Sequence, residues 1–270
     1  MASVSTENGG SIIGSPRELR ELCRVGRWRA PTAGQAPGYV QTNVAVLPRD
    51  LAFDFLVFCQ RNPKPCPLVE VLEPGVTEPK LTSPGADIRT DVPLYRIYRD
   101  GVLSGEVENI LGEWRNDLVT FLLGCSFTFE TAMIGAGLPL RHIEQNRNVS
   151  MYRTNMPTVP AGVFSGPMVV SMRPIPHNQV VRAVQVTSRF PGVHGAPVHI
   201  GDPAVIGIRD LGQPDYGDAV DIYEGEVPVF WACGVTPQAA AVQSKPSLMI
   251  THSPGHMFVT DMRDEHQAVL

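Results

Sequence analysis

The chain has 270 residues, 43% hydrophobic and 18% charged, with a formal net charge of −5, a globular composition with room for one large domain or two small ones. Such mild acidity argues against broad binding to nucleic acid or to an anionic membrane surface, and no apolar run reaches the length of a bilayer span. Five cysteines form no dense pattern and no C-x-x-C pair, so free thiols in a reducing cytoplasm are expected, without a disulfide framework or structural zinc.

Residues 1 to 14 are small, polar and aperiodic and read as a disordered start; Met1 to Gly10 lacks the charged-then-apolar pattern of a secretion signal. Ser15-Pro16-Arg17-Glu18 is a capping box with proline at the first helical position. A helix through Leu19, Leu22 and Cys23 follows, to near Gly26. Residues 31 to 43 read as loop. Pro48 opens a second helix with Leu51, Phe55, Phe58 and Cys59 near one face, stopping before Asn62-Pro63. Leu68 to Leu72 is a short strand, and Leu94 to Arg99 starts a hairpin that turns at Asp100-Gly101.

Trp114 to Leu123 reads as a helix, and another runs from Cys125 to near Gly135 or Gly137. Val149 to Arg153 and Met168 to Met172 are strand-like. Pro176 opens a helix carrying Val180, Val181, Val184 and Val186, closed near Gly192. Val227 to Cys233 is an apolar strand, Thr236-Pro237 begins a helix, and Leu248 to Thr251 and Met257 to Thr260 finish the sheet. The expected class is α/β (mixed α+β), with mixed sheets flanked by helices. Residues 15–270 form one compact catalytic unit, within which about 138–164 belongs to an inserted or second subdomain.

Two octets resemble each other: Cys125-Ser126-Phe127-Thr128-Phe129-Glu130-Thr131-Ala132 and Cys233-Gly234-Val235-Thr236-Pro237-Gln238-Ala239-Ala240. Both fit C-x-x-T-x-[E/Q]-x-A, follow an apolar run and start a helix, which points to an internal duplication. A thiol at a helix N-terminus sits where free N–H groups and the helix dipole favour a thiolate or a bound anion. Cys125 and Cys233 are therefore the first catalytic candidates, their alternative role being that of small buried hydrophobes. Ser126, Thr236 and Gln238 suit carboxylate binding or plain capping. Glu130 suits acid–base work or compensation of the helix dipole.

Arg153 and Arg173 suit bidentate recognition of a carboxylate, or ordinary ion pairs; Asn155 adds a donor in the same stretch as Arg153. A long glycine- and proline-rich loop carries His194, His199 and Asp202, with His194 as a substrate-binding candidate; the spacing matches no known metal-ligand pattern. His252 and His256 are acid–base candidates, with Asp261 available to orient one of them. There is no phosphate loop, no H-E-x-x-H and no G-x-S-x-G, and nothing supports a nucleotide cofactor.

The runs Ala36-Pro37-Gly38-Tyr39-Val40-Gln41, Cys59-Gln60-Arg61-Asn62-Pro63-Lys64-Pro65-Cys66-Pro67, Met151-Tyr152-Arg153-Thr154-Asn155, His194-Gly195-Ala196-Pro197-Val198-His199-Ile200-Gly201-Asp202-Pro203 and Trp231-Ala232-Cys233-Gly234-Val235-Thr236-Pro237-Gln238, with Gly124-Cys125-Ser126-Phe127, Ser188-Arg189-Phe190-Pro191 and Pro254-Gly255-His256, resemble the bacterial hydro-lyases grouped with D-glutamate cyclase. The resemblance covers the chain from about residue 15. It implies an α/β fold with related halves and a lyase that eliminates water, D-glutamate closing to 5-oxo-D-proline in the named activity. It carries no settled catalytic residues. The expectation is a cytoplasmic, cofactor-independent lyase acting on a small amino acid or hydroxy acid, a small carboxylate, and self-associating because of its low surface charge. Two alternatives stand beside it: a two-cysteine racemase or epimerase, and a non-enzymatic small-acid binding protein.

Overall fold

Buried at all but its first position, β1 (Tyr39–Pro48) runs through the middle of the larger of two sheets in the computed structural model, which describes residues 12–269. Alternation sends Ala45 and Leu47 into one core and Val44 and Val46 into another, so the strand is covered on both faces. The loop expected over 31 to 43 thus ends before Tyr39. Gln41, Thr42 and Asn43 interrupt the apolar pattern, yet all three are buried, Gln41 donating to the Thr32 carbonyl of the preceding loop and Thr42 and Asn43 to neighbouring strands.

The larger sheet runs β2 (Leu68–Leu72), β5 (Leu118–Gly124), β1, β10 (Met249–His252), β3 (Tyr95–Arg99), β4 (Val102–Val107), and β11 (Phe258–Arg263) also pairs with β1. The helix expected over Trp114 to Leu123 is instead the strand β5, buried at every position and laddered between β1 and β2. A short apolar run carries no periodicity that separates a buried strand from a buried helix, and here the two neighbouring strands decide it. The β3–β4 hairpin turns where expected, with Asp100 and Gly101 at φ of 50° and 78°.

The smaller sheet runs β6 (Ser150–Pro157), β7 (Pro167–Pro176), β9 (Glu226–Ala232), β8 (His199–Ile200). The chain adopts the expected mixture of helices and strands. Strand direction is not mixed: every registered pair in both sheets is antiparallel. Residues 138 to 164 supply α4 (Arg141–Glu144) and β6, an edge strand of this sheet.

Helix α1 (Pro16–Arg24) begins as expected, the Ser15 hydroxyl accepting from Glu18 N–H at 3.3 Å. Helix α2 (Arg49–Arg61) stops at Asn62, whose side chain donates to the Phe58 carbonyl at 2.8 Å. Residues 1–11 of the expected disordered start lie outside the described residues. Ile13 is ordered: it is buried, its N–H donates to Gln35 Oε1 at 2.9 Å and its carbonyl accepts from Ala36. Among the described residues no helix is long and apolar enough to cross a membrane.

Two helices leave their own sheet. Helix α3 (Phe127–Gly135) follows β5 of the larger sheet but buries Phe129 and Met133 against Ile175, Val229 and Trp231 of the smaller one, beside α5 (Val180–Ser188). Helix α6 (Thr236–Ser244) follows β9 of the smaller sheet but buries Ala240 and Ala241 among Ala45, Leu47, Phe55 and Met249 of the larger core. This exchange brings the two strand-to-helix turns together between the sheets.

Candidate functional site

Each turn has the same internal wiring. Phe127 N–H points at Cys125 Sγ, 3.5 Å away, and the Val235 N–H near Cys233 pulls that thiol's pKa down, against burial. Thr128 Oγ1 accepts from Gln41 N–H of β1 at 3.2 Å; Thr236 Oγ1 accepts from Val169 N–H of β7 at 3.0 Å. The repeated threonine thus stitches each helix to the strand next to the one it came from. Thr128 N–H and Thr236 N–H return to the carbonyls of Cys125 and Cys233 at 3.1 and 3.0 Å. The N–H groups of Ser126 and Gly234, the residue after each cysteine, donate to no acceptor among the described residues, although both residues are buried. Two unspent donors on buried residues thus lie beside two thiols, and N–H groups of this kind can hold an anion.

Both cysteines lie in one buried cluster with Phe127, Val169, Val235 and Met257. Asn43 sits between the turns. Its Nδ2 donates to the Gly124 carbonyl at 2.7 Å, and a β-carbon at Gly234 would stand 1.9 Å from the same atom. Only glycine lets the second turn close onto Asn43. The thiols are not activated as the helix termini suggest: burial pushes Cys233 up to about 11 and Cys125 higher still. Desolvation outweighs the N–H donors and the nearby Arg173 cation, so both are thiols at neutral pH.

Beneath the Cys125 turn lies a buried charge network. Arg173, on β7 and fully buried, donates Nε and Nη2 to Glu130 Oε1 at 3.0 and 2.5 Å, Nη1 to Ser171 Oγ at 3.0 Å and Nη2 to Ser126 Oγ at 3.0 Å. Its guanidinium lies 5.5 Å from the ring centres of Phe129 and Trp231. Glu130 Oε1 also lies 3.1 Å from His142 Nε2, while Oε2 has no partner. Burial pulls the Glu130 carboxyl upward, but His142 and Arg173 together hold it below its usual range. Arg173 is thus committed to Glu130, and its visible task is to anchor Ser126 and the start of α3.

The other residues singled out from the sequence divide by location. Gln238 spends both ends of its amide, accepting from Tyr98 Oη at 3.1 Å and donating to the His252 carbonyl at 2.8 Å. His252 Nδ1 accepts from Val44 N–H at 3.1 Å, with the Val44 carbonyl farther off at 3.4 Å, and burial pushes its pKa down to about 3. His256 Nδ1 donates to the Pro254 carbonyl at 3.0 Å within a tight turn, and burial lowers its pKa. Arg153 and Asn155 lie exposed on β6. Arg153 pairs with Asp215 at 3.0 Å in a surface hollow of about 440 Å³, and Asn155 donates to the Val205 carbonyl at 3.2 Å. Asp261 binds Arg20 through both oxygens at 2.9 Å, so it orients no histidine.

His199 Nε2 meets the Asp202 carbonyl at 2.7 Å, and the Asp202 carboxylate caps Ala204 N–H. Among the described residues no three His, Cys, Asp or Glu side chains gather in a metal-holding group. Three residues escaped the sequence reading: Asn43, Lys64 and His142. A polar residue inside the run Val40 to Leu47 was the available signal for Asn43. Lys64 and His142 carry no local signal, because the fold alone brings them beside His194 and Glu130.

The sequence signature described as D-glutamate cyclase matches residues 119–261, which contain both cysteine turns. A protein of Geobacillus kaustophilus named "Putative hydro-lyase GK2103" is 63% identical over 95% of this chain and 97% of its own length. "Putative hydro-lyase YcsI" of Bacillus subtilis is 61% identical over 95% of this chain and all of its own length. The chain belongs to the D-glutamate cyclase family. Among solved structures, a nitrogen repressor-like protein from Methanococcus jannaschii aligns over 91% of this chain and 98% of that chain, at 9% identity and a TM-score of 0.40, a likeness too distant to carry an argument.

Proposed function

We propose that this protein is a lyase that removes water from a small amino acid, closing D-glutamate to 5-oxo-D-proline between the two cysteine turns. The observation that carries the reading is the pair of buried, unspent N–H groups on Ser126 and Gly234. In the reaction the amine nitrogen attacks the side-chain carboxyl carbon and the C–N bond forms. One C–O bond then breaks. Two protons leave nitrogen, and both depart with the lost oxygen as water. Charge collects on the carboxyl oxygens in the tetrahedral intermediate, where fixed N–H donors in a dry site stabilise it. The thiols of Cys125 and Cys233 stand beside those donors as protonated groups, suited to giving a proton to the departing oxygen.

A second reading is favoured by the repeated wiring of the turns. Two thiols related by local symmetry suit proton exchange on opposite faces of one α-carbon, as in a racemase or epimerase. Against it, burial raises both thiols, whereas such chemistry needs one of them as thiolate.

The test is incubation of the protein with D-glutamate, L-glutamate and small hydroxy acids, following 5-oxoproline and dehydration products. Turnover of D-glutamate that falls roughly 100-fold in Cys125→Ala and Cys233→Ala supports the reading. Absence of any dehydrated product from all of these substrates contradicts it.

A further inference from the structure

Loops 63–67 and 191–195 clasp each other beside the Cys125 turn. His194 Nδ1 lies 2.7 Å from the Lys64 carbonyl oxygen, and Lys64 Nζ donates to the His194 carbonyl at 3.1 Å. Both loops close on Gly124. Its N–H donates to the Pro67 carbonyl at 2.8 Å, and a β-carbon there would stand 2.4 Å from the Gly192 oxygen. His194 itself is left-handed, at φ of 85°, a conformation its β-carbon disfavours.

A carbonyl oxygen can only accept, so His194 Nδ1 carries the proton and Nε2 is the bare nitrogen. That Nε2 is buried and has no hydrogen-bond partner among the described residues. His252 has the opposite polarity. Its Nδ1 accepts from Val44 N–H, so the proton sits on Nε2, which can only donate. We propose that His194 Nε2 is the proton acceptor of the site, receiving the proton from the substrate ammonium as nitrogen attacks the carboxyl carbon. The assignment rests on the lyase reading above. The N–H bond breaks, its proton moves to Nε2, and the freed nitrogen pair forms the C–N bond. On collapse of the intermediate Nε2 returns that proton to the departing oxygen, and the second nitrogen proton follows through a neighbouring thiol, which gives its own proton to that oxygen and takes the nitrogen's, completing the water. Burial, with the Lys64 and Arg173 charges acting in the same direction, outweighs the Lys64 and Gly124 carbonyls and keeps the ring neutral at pH 7, its pKa pushed down to about 4.

The experiment combines nitrogen-15 imidazole NMR on the whole protein, with and without 5-oxoproline, and steady-state kinetics of His194→Asn. Asparagine tolerates the left-handed backbone and can still donate to the Lys64 carbonyl, but it offers no lone pair in place of Nε2. The spectrum, with His194 identified by its loss in the variant, is expected to report a bare Nε2 at pH 7 that shifts when 5-oxoproline binds. The variant is expected to lose roughly 100-fold in kcat with KM changed only a few-fold. A protonated Nε2 at pH 7, a ring indifferent to a bound ligand, or a variant with undiminished kcat overturns the proposal. If wild type fails to turn over D-glutamate, the lyase reading falls, and the NMR result still decides whether His194 faces a bound small acid as a bare base.

Discussion

The side-chain amide of Asn43 occupies the space that a β-carbon on Gly234 would need, 1.9 Å from Nδ2. Asn43 cannot swing away freely, because the same Nδ2 is bound to the Gly124 carbonyl at 2.7 Å. The central strand therefore holds both turns through one residue, by a hydrogen bond to the first and by contact with the second.

Gly234→Ala is expected to destabilise the fold by about 1–3 kcal/mol, the usual cost of overpacking. Asn43→Ser, which shortens the obstructing group, is expected to recover part of that loss in the double variant. Urea denaturation of the two single variants and the double provides the cycle. Strict additivity would mean that the contact is not the cause.

The Arg173–Glu130 pair is buried, so removing Arg173 leaves the Glu130 carboxylate with His142 as its remaining partner at 3.1 Å. Arg173→Met is expected to cost about 3–5 kcal/mol. Arg173→Met with Glu130→Gln is expected to cost less than the sum of the single changes, because neither charge is then stranded. Glu130 is held below its usual range, so its contribution is present at neutral pH and fades as pH falls through its folded pKa.

His194 and His252 have pKa values pushed down to about 4 and about 3. The unfolded chain binds these protons more readily, near pH 6.5. Stability is thus full above pH 6.5 and falls as the pH drops from there through 4 toward 3. The loss amounts to about 3 kcal/mol or more for each histidine, at about 1.4 kcal/mol per pKa unit. Thermal midpoints measured from pH 8 to pH 4 should descend over this window. A flat profile would show that the rings are not buried neutral.

All five cysteines are free and buried, and burial raises Cys23, Cys66, Cys125 and Cys233. The native protein at pH 7 is expected to react slowly with a thiol-specific disulfide reagent and to release five equivalents only after denaturation. Rapid labelling of one native cysteine would identify an accessible thiolate and strengthen the epimerase reading.

What could be read from the sequence follows what is local. The two C-x-x-T turns, the Ser15 cap, the Pro48 helix start and the Asp100-Gly101 hairpin each depend on a few adjacent residues, and each stands in the structure. The sequence of β5 suits a helix equally well, because Leu118 to Gly124 is buried on both faces and its ladder partners lie elsewhere in the chain. The site was legible as residue types and not as neighbours. Arg173 suits either a substrate carboxylate or an ion pair, and the carboxylate it meets in the structure is Glu130, 43 residues away. Arg153 was drawn to Asp215 on the exposed edge. Nothing near Lys64 announces His194, 130 residues on; only the closing of two loops over Gly124 joins them.

The most direct test of the account is proton NMR of the protein with D-glutamate in deuterated water. The account expects 5-oxoproline to form with its α-proton retained, since the chemistry takes place at nitrogen and at the side-chain carboxyl. Deuterium entering the α-carbon without oxoproline would contradict it and transfer the two cysteines to racemase chemistry.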